Sequence, residues 1–220
     1  MQDLVPLSPS EARRLPPFGA GMTIGLFGGS FNPPHEGHRH ASLVALTRLG
    51  LDRVWCLVTP GNPLKDNQGL PSLEMRVAAA RRLADHPRIA VTGIEAAIHT
   101  RYTFDTIRWL KRRCPGVTFV WIMGADNLAS FHRWQQWRAI AALLPIAVVA
   151  RPGATTRGPL SKAGRVLARW RLPESEARVL TRQAPPAWVF LHAPLDHTSS
   201  TALRARGQGL AAGRPAPRLR

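Results

Sequence analysis

The sequence predicts an α/β fold, a doubly wound parallel sheet covered on both faces. Two observations carry that expectation. Short, nearly continuous apolar runs recur along the chain, and stretches with apolar residues at helical spacing separate them. Strands apolar on both faces belong to parallel sheets buried between helices, and β-α-β alternation is how such sheets are connected. Strands are expected at 22–27, 53–59, 88–93, 117–123, 146–150 and 187–192. Helices are expected at 37–49, 70–85, 103–113, 134–144 and, briefly, 199–206. Residues 1–21, rich in Pro, Arg and Ser without period, read as a flexible extension. Residues 22–206 read as a single domain in which 151–183 is a basic, helical, insertion-like segment. The Gly/Pro/Arg-rich stretch 207–220 reads as a flexible tail.

Composition excludes several classes. At 220 residues and 45% hydrophobic the chain can bury a sizeable core, so global disorder is excluded. The longest apolar run, 139–150, is broken by Pro145 and falls well short of the roughly 20 residues that span a bilayer. The first residues lack the apolar core of a secretory signal. Cys56 and Cys114 stand far apart with no CxxC pattern and read as reduced core thiols, so a cytoplasmic location is expected. Thirty Lys and Arg against 13 Asp and Glu give a formal charge of +17, which must attract polyanions such as nucleic acid, anionic lipid or phosphorylated small molecules. Arginine dominance could equally reflect nucleotide composition, so charge alone decides nothing.

The first strand–turn–helix carries the chemistry. It reads Gly28-Gly29-Ser30-Phe31-Asn32-Pro33-Pro34-His35-Glu36-Gly37-His38. Gly28 and Gly29 at a strand end allow backbone N–H groups to approach a phosphate closely. The spacing is neither GxGxxG nor a Walker A loop. His35 and His38, three apart, share one face at a helix N-terminus, where anions are favoured and two imidazoles can donate to phosphate oxygens. Two close histidines also admit a zinc reading, but no third ligand with sensible spacing is nearby. Downstream, Ser199, Ser200 and Thr201 can cap a helix and hold phosphate, with Arg204 one turn on. Lys65 sits in a Pro/Gly-rich loop after the second strand. Thr103 is a plausible N-cap. Gly124, at a strand's end, leaves room for a base or ribose, Asp126 can accept hydroxyl protons, and Trp134 offers a face for a pyridine ring. Trp137 reads as core.

Together these residues resemble a known family. The segment 28–38 looks like the signature of the HxGH nucleotidyltransferase superfamily, specifically its bacterial nicotinate-nucleotide adenylyltransferases. His197-Thr198-Ser199-Ser200-Thr201-Ala202-Leu203-Arg204, the loop ending in Lys65, Tyr102-Thr103-Phe104-Asp105-Thr106, Gly124-Ala125-Asp126 through Trp134, and Arg151-Pro152-Gly153 resemble its later motifs. The resemblance implies a Rossmann-like nucleotidyltransferase fold and transfer of AMP from ATP to nicotinate mononucleotide, giving deamido-NAD and pyrophosphate in NAD biosynthesis. It implies catalytic roles for His35, His38 and Arg204. It assigns ATP to Gly28, Gly29, Ser30, Phe31, Gly124, Asp126, Ser199, Ser200 and Thr201, and the mononucleotide to Lys65, Tyr102, Thr103 and Trp134. No carboxylate cluster suggests a protein-held metal, so Mg²⁺ is expected to arrive with ATP. No membrane partner is expected, and a homo-oligomer is compatible with the sequence. The alternative within the superfamily is a sister adenylyltransferase taking nicotinamide mononucleotide or phosphopantetheine. A nucleic-acid-binding module would interleave aromatics with its arginines, yet the basic stretch 151–182 holds only Trp170. A tRNA synthetase fragment shares HxGH, but this chain is short and has no KMSKS-like loop.

Overall fold

The computed structural model describes residues 5–61, 63–64, 67–150, 155, 157–193, 200–207 and 209–210. Among them seven strands form one sheet: β1 (Thr23–Gly29), β2 (Arg53–Val58), β3 (Ile89–Thr92), β4 (Thr118–Gly124), β5 (Ile146–Val149), β6 (Arg171–Leu172) and β7 (Trp188–Leu191). Their order is β3-β2-β1-β4-β5-β7-β6, with every pairing parallel. The helices are α1 (Pro9–Ala12), α2 (Glu36–Arg48), α3 (Leu73–Ala84), α4 (Ile94–Ala97), α5 (Thr103–Arg113), α6 (Ala125–Ser130), α7 (Trp137–Leu143), α8 (Arg157–Leu160), α9 (Lys162–Val166) and α10 (Ser200–Ala205). Short 3-10 segments lie at Phe131–Arg133, Ala168–Trp170 and Glu174–Arg182.

Side chains alternate between the faces of a strand, and here both sets are buried. Ile24, Leu26, Trp55, Leu57, Trp121, Met123 and Val148 pack on one face against Ile107 and Leu110 of α5 and Ile140 of α7. Phe27, Val54, Cys56, Val58, Val120, Ile122 and Val149 pack on the other against Ala41 and Ala45 of α2 and Val77 and Ala80 of α3. The chain winds outward from β1 to β3, then starts again at β4 on the other side of β1. This reversal puts the two halves' helices on opposite faces and opens a crevice beyond the carboxyl ends of β1 and β4. Both cysteines are free and buried, and burial pushes the Cys56 thiol up to about 12, so it is inert.

Several elements differ from expectation. The amino-terminal stretch is packed rather than loose from Leu7 onward. Ser8 caps α1 through a capping box with Glu11, and Ala12 is fully buried. The segment then crosses the sheet edge. The Gly93 N–H donates to the Ala12 carbonyl at 2.7 Å, the Thr92 hydroxyl donates to the Arg14 carbonyl at 2.7 Å, and Arg81 donates to the Glu11 carbonyl at 2.8 Å. Leu7 and Ala12 join one core and Leu15 and Phe18 the other, so the strap covers edge strand β3 from both sides. Thr92 also accepts from the Ile94 N–H at 3.1 Å. Thr92→Val should therefore lower stability by about 1–2 kcal/mol, seen as a lower urea midpoint at unchanged slope; an unchanged midpoint would mean that the strap is not held there.

The basic segment is not an insertion in structural terms. Its described part supplies edge strand β6, sets Ala163 into one core, and buries Ala177 and Leu180 in the other. Residues 151–154 and 156, the last ten of the tail, and His197, Thr198, Ser199 and Lys65 lie outside the described residues.

Candidate active site

The crevice at the strand ends is a cleft of about 780 Å³, within the range of small-molecule sites. Loops after β1, β2, β3 and β4 wall it, and α10 closes one side. The structure brings together Gly28, Gly29, Ser30, Phe31, His35, His38, Tyr102, Thr103, Asp126, Trp134, Ser200, Thr201 and Arg204 along its lining. Gly124 is buried at the end of β4, behind the lining rather than on it.

The turn after β1 is built around aromatic rings. The space left by the missing Cβ of Gly28 is taken by Trp121, whose Cη2 would lie 2.8 Å from it, and that of Gly29 by Phe31 at 3.1 Å. At both positions ring packing therefore favours a glycine. Phe31 adopts φ +47, a left-handed conformation that costs a non-glycine residue energy and concentrates at functional sites.

His35 is the N-cap of α2 and only 4% exposed. Its N–H donates to Nδ1 of His38 at 3.2 Å, so His38 occupies the reciprocal position of a capping box. With Nδ1 accepting, neutral His38 carries its proton on Nε2. The two imidazoles lie 3.9 Å apart between centroids, and Phe31 packs on His38 at 4.7 Å. The histidine pair is therefore held by a backbone bond and a ring contact before any ligand arrives.

α10 docks onto this turn. The Ser200 hydroxyl donates to the Pro33 carbonyl at 2.9 Å, and the Arg204 guanidinium donates to the Asn32 carbonyl and, at 3.3 Å, to the Thr201 hydroxyl. Across the cleft, Trp134 stands half-buried, edge-on to Trp121 at 6.2 Å and to Phe131 at 5.4 Å. It belongs to the turn before α7, not to that helix. Gln136 takes a left-handed φ of +53 and the helix begins only at Trp137, which is buried as expected. Likewise Thr103 is the first helical residue of α5 rather than its cap, since Tyr102 holds that position.

Residues 26–206 match the family model described as cytidylyltransferase-like. A protein of Methylorubrum extorquens named "Probable nicotinate-nucleotide adenylyltransferase" is 58% identical over 185 residues, 84% of this chain and 100% of its own length. One of Cereibacter sphaeroides with the same name is 57% identical over 187 residues, 85% and 98% of the two chains. The chain belongs to the nicotinate-nucleotide adenylyltransferase family. The fold agrees with a solved structure, Plasmodium falciparum nicotinic acid mononucleotide adenylyltransferase complexed with NaAD, at a TM-score of 0.61 and 16% identity over 84% of this chain and 83% of that one.

Two charged residues in or beneath this adenylyltransferase cleft were not singled out from the sequence. Arg76 of α3 is 1% exposed and donates to three carbonyls beneath the β1 and β2 turns. Burial lowers its guanidinium to about 10. Glu95 of α4 is 4% exposed on the cleft wall, where it accepts from the Thr106 hydroxyl at 2.9 Å. Burial raises its carboxyl to about 6, with hydrogen bonds from Thr106 and Thr59 opposing the rise. Arg76 had a legible signal, because it falls on the buried stripe of Leu73, Val77, Ala80 and Ala84. Glu95 had none beyond following an apolar strand.

Proposed function

We propose that this chain transfers the adenylyl group of ATP to the 5′-phosphate of nicotinate mononucleotide, forming deamido-NAD and pyrophosphate on the route to NAD. A phosphate oxygen of the mononucleotide attacks the α-phosphorus of ATP, the bond to the bridging β-phosphate oxygen breaks, and pyrophosphate leaves with the electron pair. The nucleophile is already an oxyanion, so the task is positioning and charge stabilisation rather than proton removal. One observation carries the assignment: the packed His35–His38 pair at the start of α2 and the aromatic face of Trp134 converge on a single cleft at the reversal of strand order.

In this reading His38 Nε2 and His35 donate to the ATP phosphates beside the Gly28–Gly29–Ser30–Phe31 turn, with Arg204, Ser200 and Thr201 alongside. Ser199 joins them on the family motif. Asp126 accepts ribose hydroxyls of the adenosine, with Gly124 shaping the strand end behind it. Tyr102, Thr103 and Trp134 hold the mononucleotide, and Lys65 joins them on the family pattern. The cleft's other charged lining residues are Arg101, Arg133 and Glu95, so with Arg204 and Asp126 the described lining carries more cations than carboxylates. That balance suits polyanions whose remaining charge is met by Mg²⁺ carried in with ATP, as substrate rather than as a resident ion. No described helix is long and apolar enough to cross a membrane. We place the reaction in the cytoplasm, where MgATP is supplied and the two thiols stay reduced.

Pyrophosphate release with ATP and Mg²⁺ tests this. Nicotinate mononucleotide is expected to be the preferred acceptor over nicotinamide mononucleotide and 4′-phosphopantetheine, by at least tenfold in kcat/KM. Preference for another acceptor keeps the chemistry and overturns the acceptor.

A further inference from the structure

We infer that Arg76 is a positioning residue for adenylyl transfer, locking the turn assigned to the ATP phosphates and the neighbouring cleft loop that carries Lys65 into one frame. The inference rests on the function proposed above. Arg76 lies under the cleft, outside its lining, and touches no reacting atom. Its Nη1 donates to the Ser30 carbonyl at 2.9 Å and to the Thr59 carbonyl at 2.7 Å, and its Nε donates to the Pro71 carbonyl at 2.9 Å. Ser30 ends the glycine turn after β1, at the histidine pair. Thr59 opens the loop after β2, and Pro71 closes it just before α3. One planar fork therefore joins the phosphate turn to both ends of the neighbouring loop. The Thr59 N–H, donating to the Gly29 carbonyl at 3.0 Å, adds a direct tie between the same turns.

The bond to Ser30 has a directional consequence. A peptide unit is planar and trans, so the N–H of Phe31 points opposite to the Ser30 carbonyl. Holding that carbonyl inward, towards α3, turns the Phe31 N–H outward, to the cleft that Ser30, Phe31 and His35 line. The left-handed φ of Phe31 is the local cost of this orientation, and the buried fork is what sustains it. A fully buried cation is otherwise expensive, and here carbonyl oxygens rather than a carboxylate meet its N–H groups. Glu74 acts on it electrostatically but is itself paired with Arg13 at 3.2 Å, so positive charge remains beneath the place where two anionic substrates must meet. Lysine would keep the charge but cannot hold three carbonyls in one plane.

The test separates positioning from simple support of the fold. In Arg76→Lys and Arg76→Met, assayed well below their melting temperatures, kcat per folded molecule should fall about tenfold or more. KM for ATP and for nicotinate mononucleotide should each stay within about threefold, because each half-site survives while their mutual alignment does not. A lowered Tm with unchanged kcat per folded molecule would reduce Arg76 to a stabiliser and overturn the inference. Should neither variant fold, the wild-type enzyme decides. With its seven phenylalanines labelled at the amide nitrogen, inorganic pyrophosphate at a concentration that inhibits turnover should shift the Phe31 signal. A Phe31 signal that stays put overturns the inference. A wild type that turns over no acceptor at all fails differently, overturning the proposed function and the inference resting on it.

Discussion

His38→Asn is expected to lower kcat by about 10²–10³ while leaving the protein folded. The asparagine Oδ1 falls where Nδ1 of the imidazole stands, so it can still accept the His35 N–H now bonded at 3.2 Å. The start of α2 keeps its reciprocal cap and stability should change by less than about 1 kcal/mol. What disappears is the Nε2 donor beyond it. Removing one preorganised donor from developing negative charge costs about 2.7–4 kcal/mol of transition-state stabilisation, hence the expected loss. KM for nicotinate mononucleotide should change little, because that substrate is assigned to the opposite wall. His38→Ala would confuse the two effects, since it discards both the cap acceptor and the donor. If His38→Asn retained more than about a tenth of wild-type kcat, the imidazole would be a capping residue and the phosphate contact would belong elsewhere.

The strand pattern was legible because each central strand is buried on both faces, so its apolar run is continuous and its ends are marked by Gly, Pro or polar residues. β2 shows this with Arg53 before five buried residues and Thr59-Pro60 after them. The shortest strand was not legible. β6 is two residues long, and it forms because β7 offers a free edge, a fact of three dimensions rather than of local sequence. The amino-terminal strap is a different case. Ser8-Pro9-Ser10-Glu11 is a capping-box pattern with proline in the first turn, so the signal for α1 was present in a stretch whose overall composition suggested looseness.

The cleft follows the same division. Residues that meet a ligand sit in contiguous motifs, and 28–38 reads as one strand, turn and helix start. Residues that hold the cleft in shape come from elsewhere in the chain. Trp121 is one core residue among many in β4 until the sheet register brings β4 alongside β1, with Leu26 opposite Trp121. Its ring then lies against Gly28, and only there does the glycine acquire a second reason to be glycine. Arg76 broke the apolar stripe of α3 visibly, but its partners Ser30 and Thr59 lie 46 and 17 residues away and come together only through the parallel pairing of β1 with β2.

Glu95→Gln is expected to remove a pH dependence that the wild-type protein shows. Burial raises the Glu95 carboxyl from its ordinary 4.5 to about 6, against two hydrogen bonds that favour the ionised form. A carboxyl raised on folding binds its proton more tightly in the folded state. Its contribution to stability is therefore fully present below about 4.5 and is lost as pH rises through about 6. That gap corresponds to about 2 kcal/mol. Urea unfolding of both proteins across the acidic range to neutrality should show the wild type losing about that much relative to the variant, whose amide never ionises. Parallel stability profiles would mean that water reaches the carboxylate and burial does not govern it. The same group lines the wall shared with Tyr102 and Thr103. An anionic mononucleotide bound there would disfavour the ionised carboxylate further, so binding should take up a proton. Wild-type affinity for nicotinate mononucleotide should then weaken, relative to Glu95→Gln, as pH rises through about 6. A pH-dependent stability with a pH-independent affinity ratio would place the substrate's negative charge away from this wall, and Tyr102 and Thr103 would lose their assignment with it.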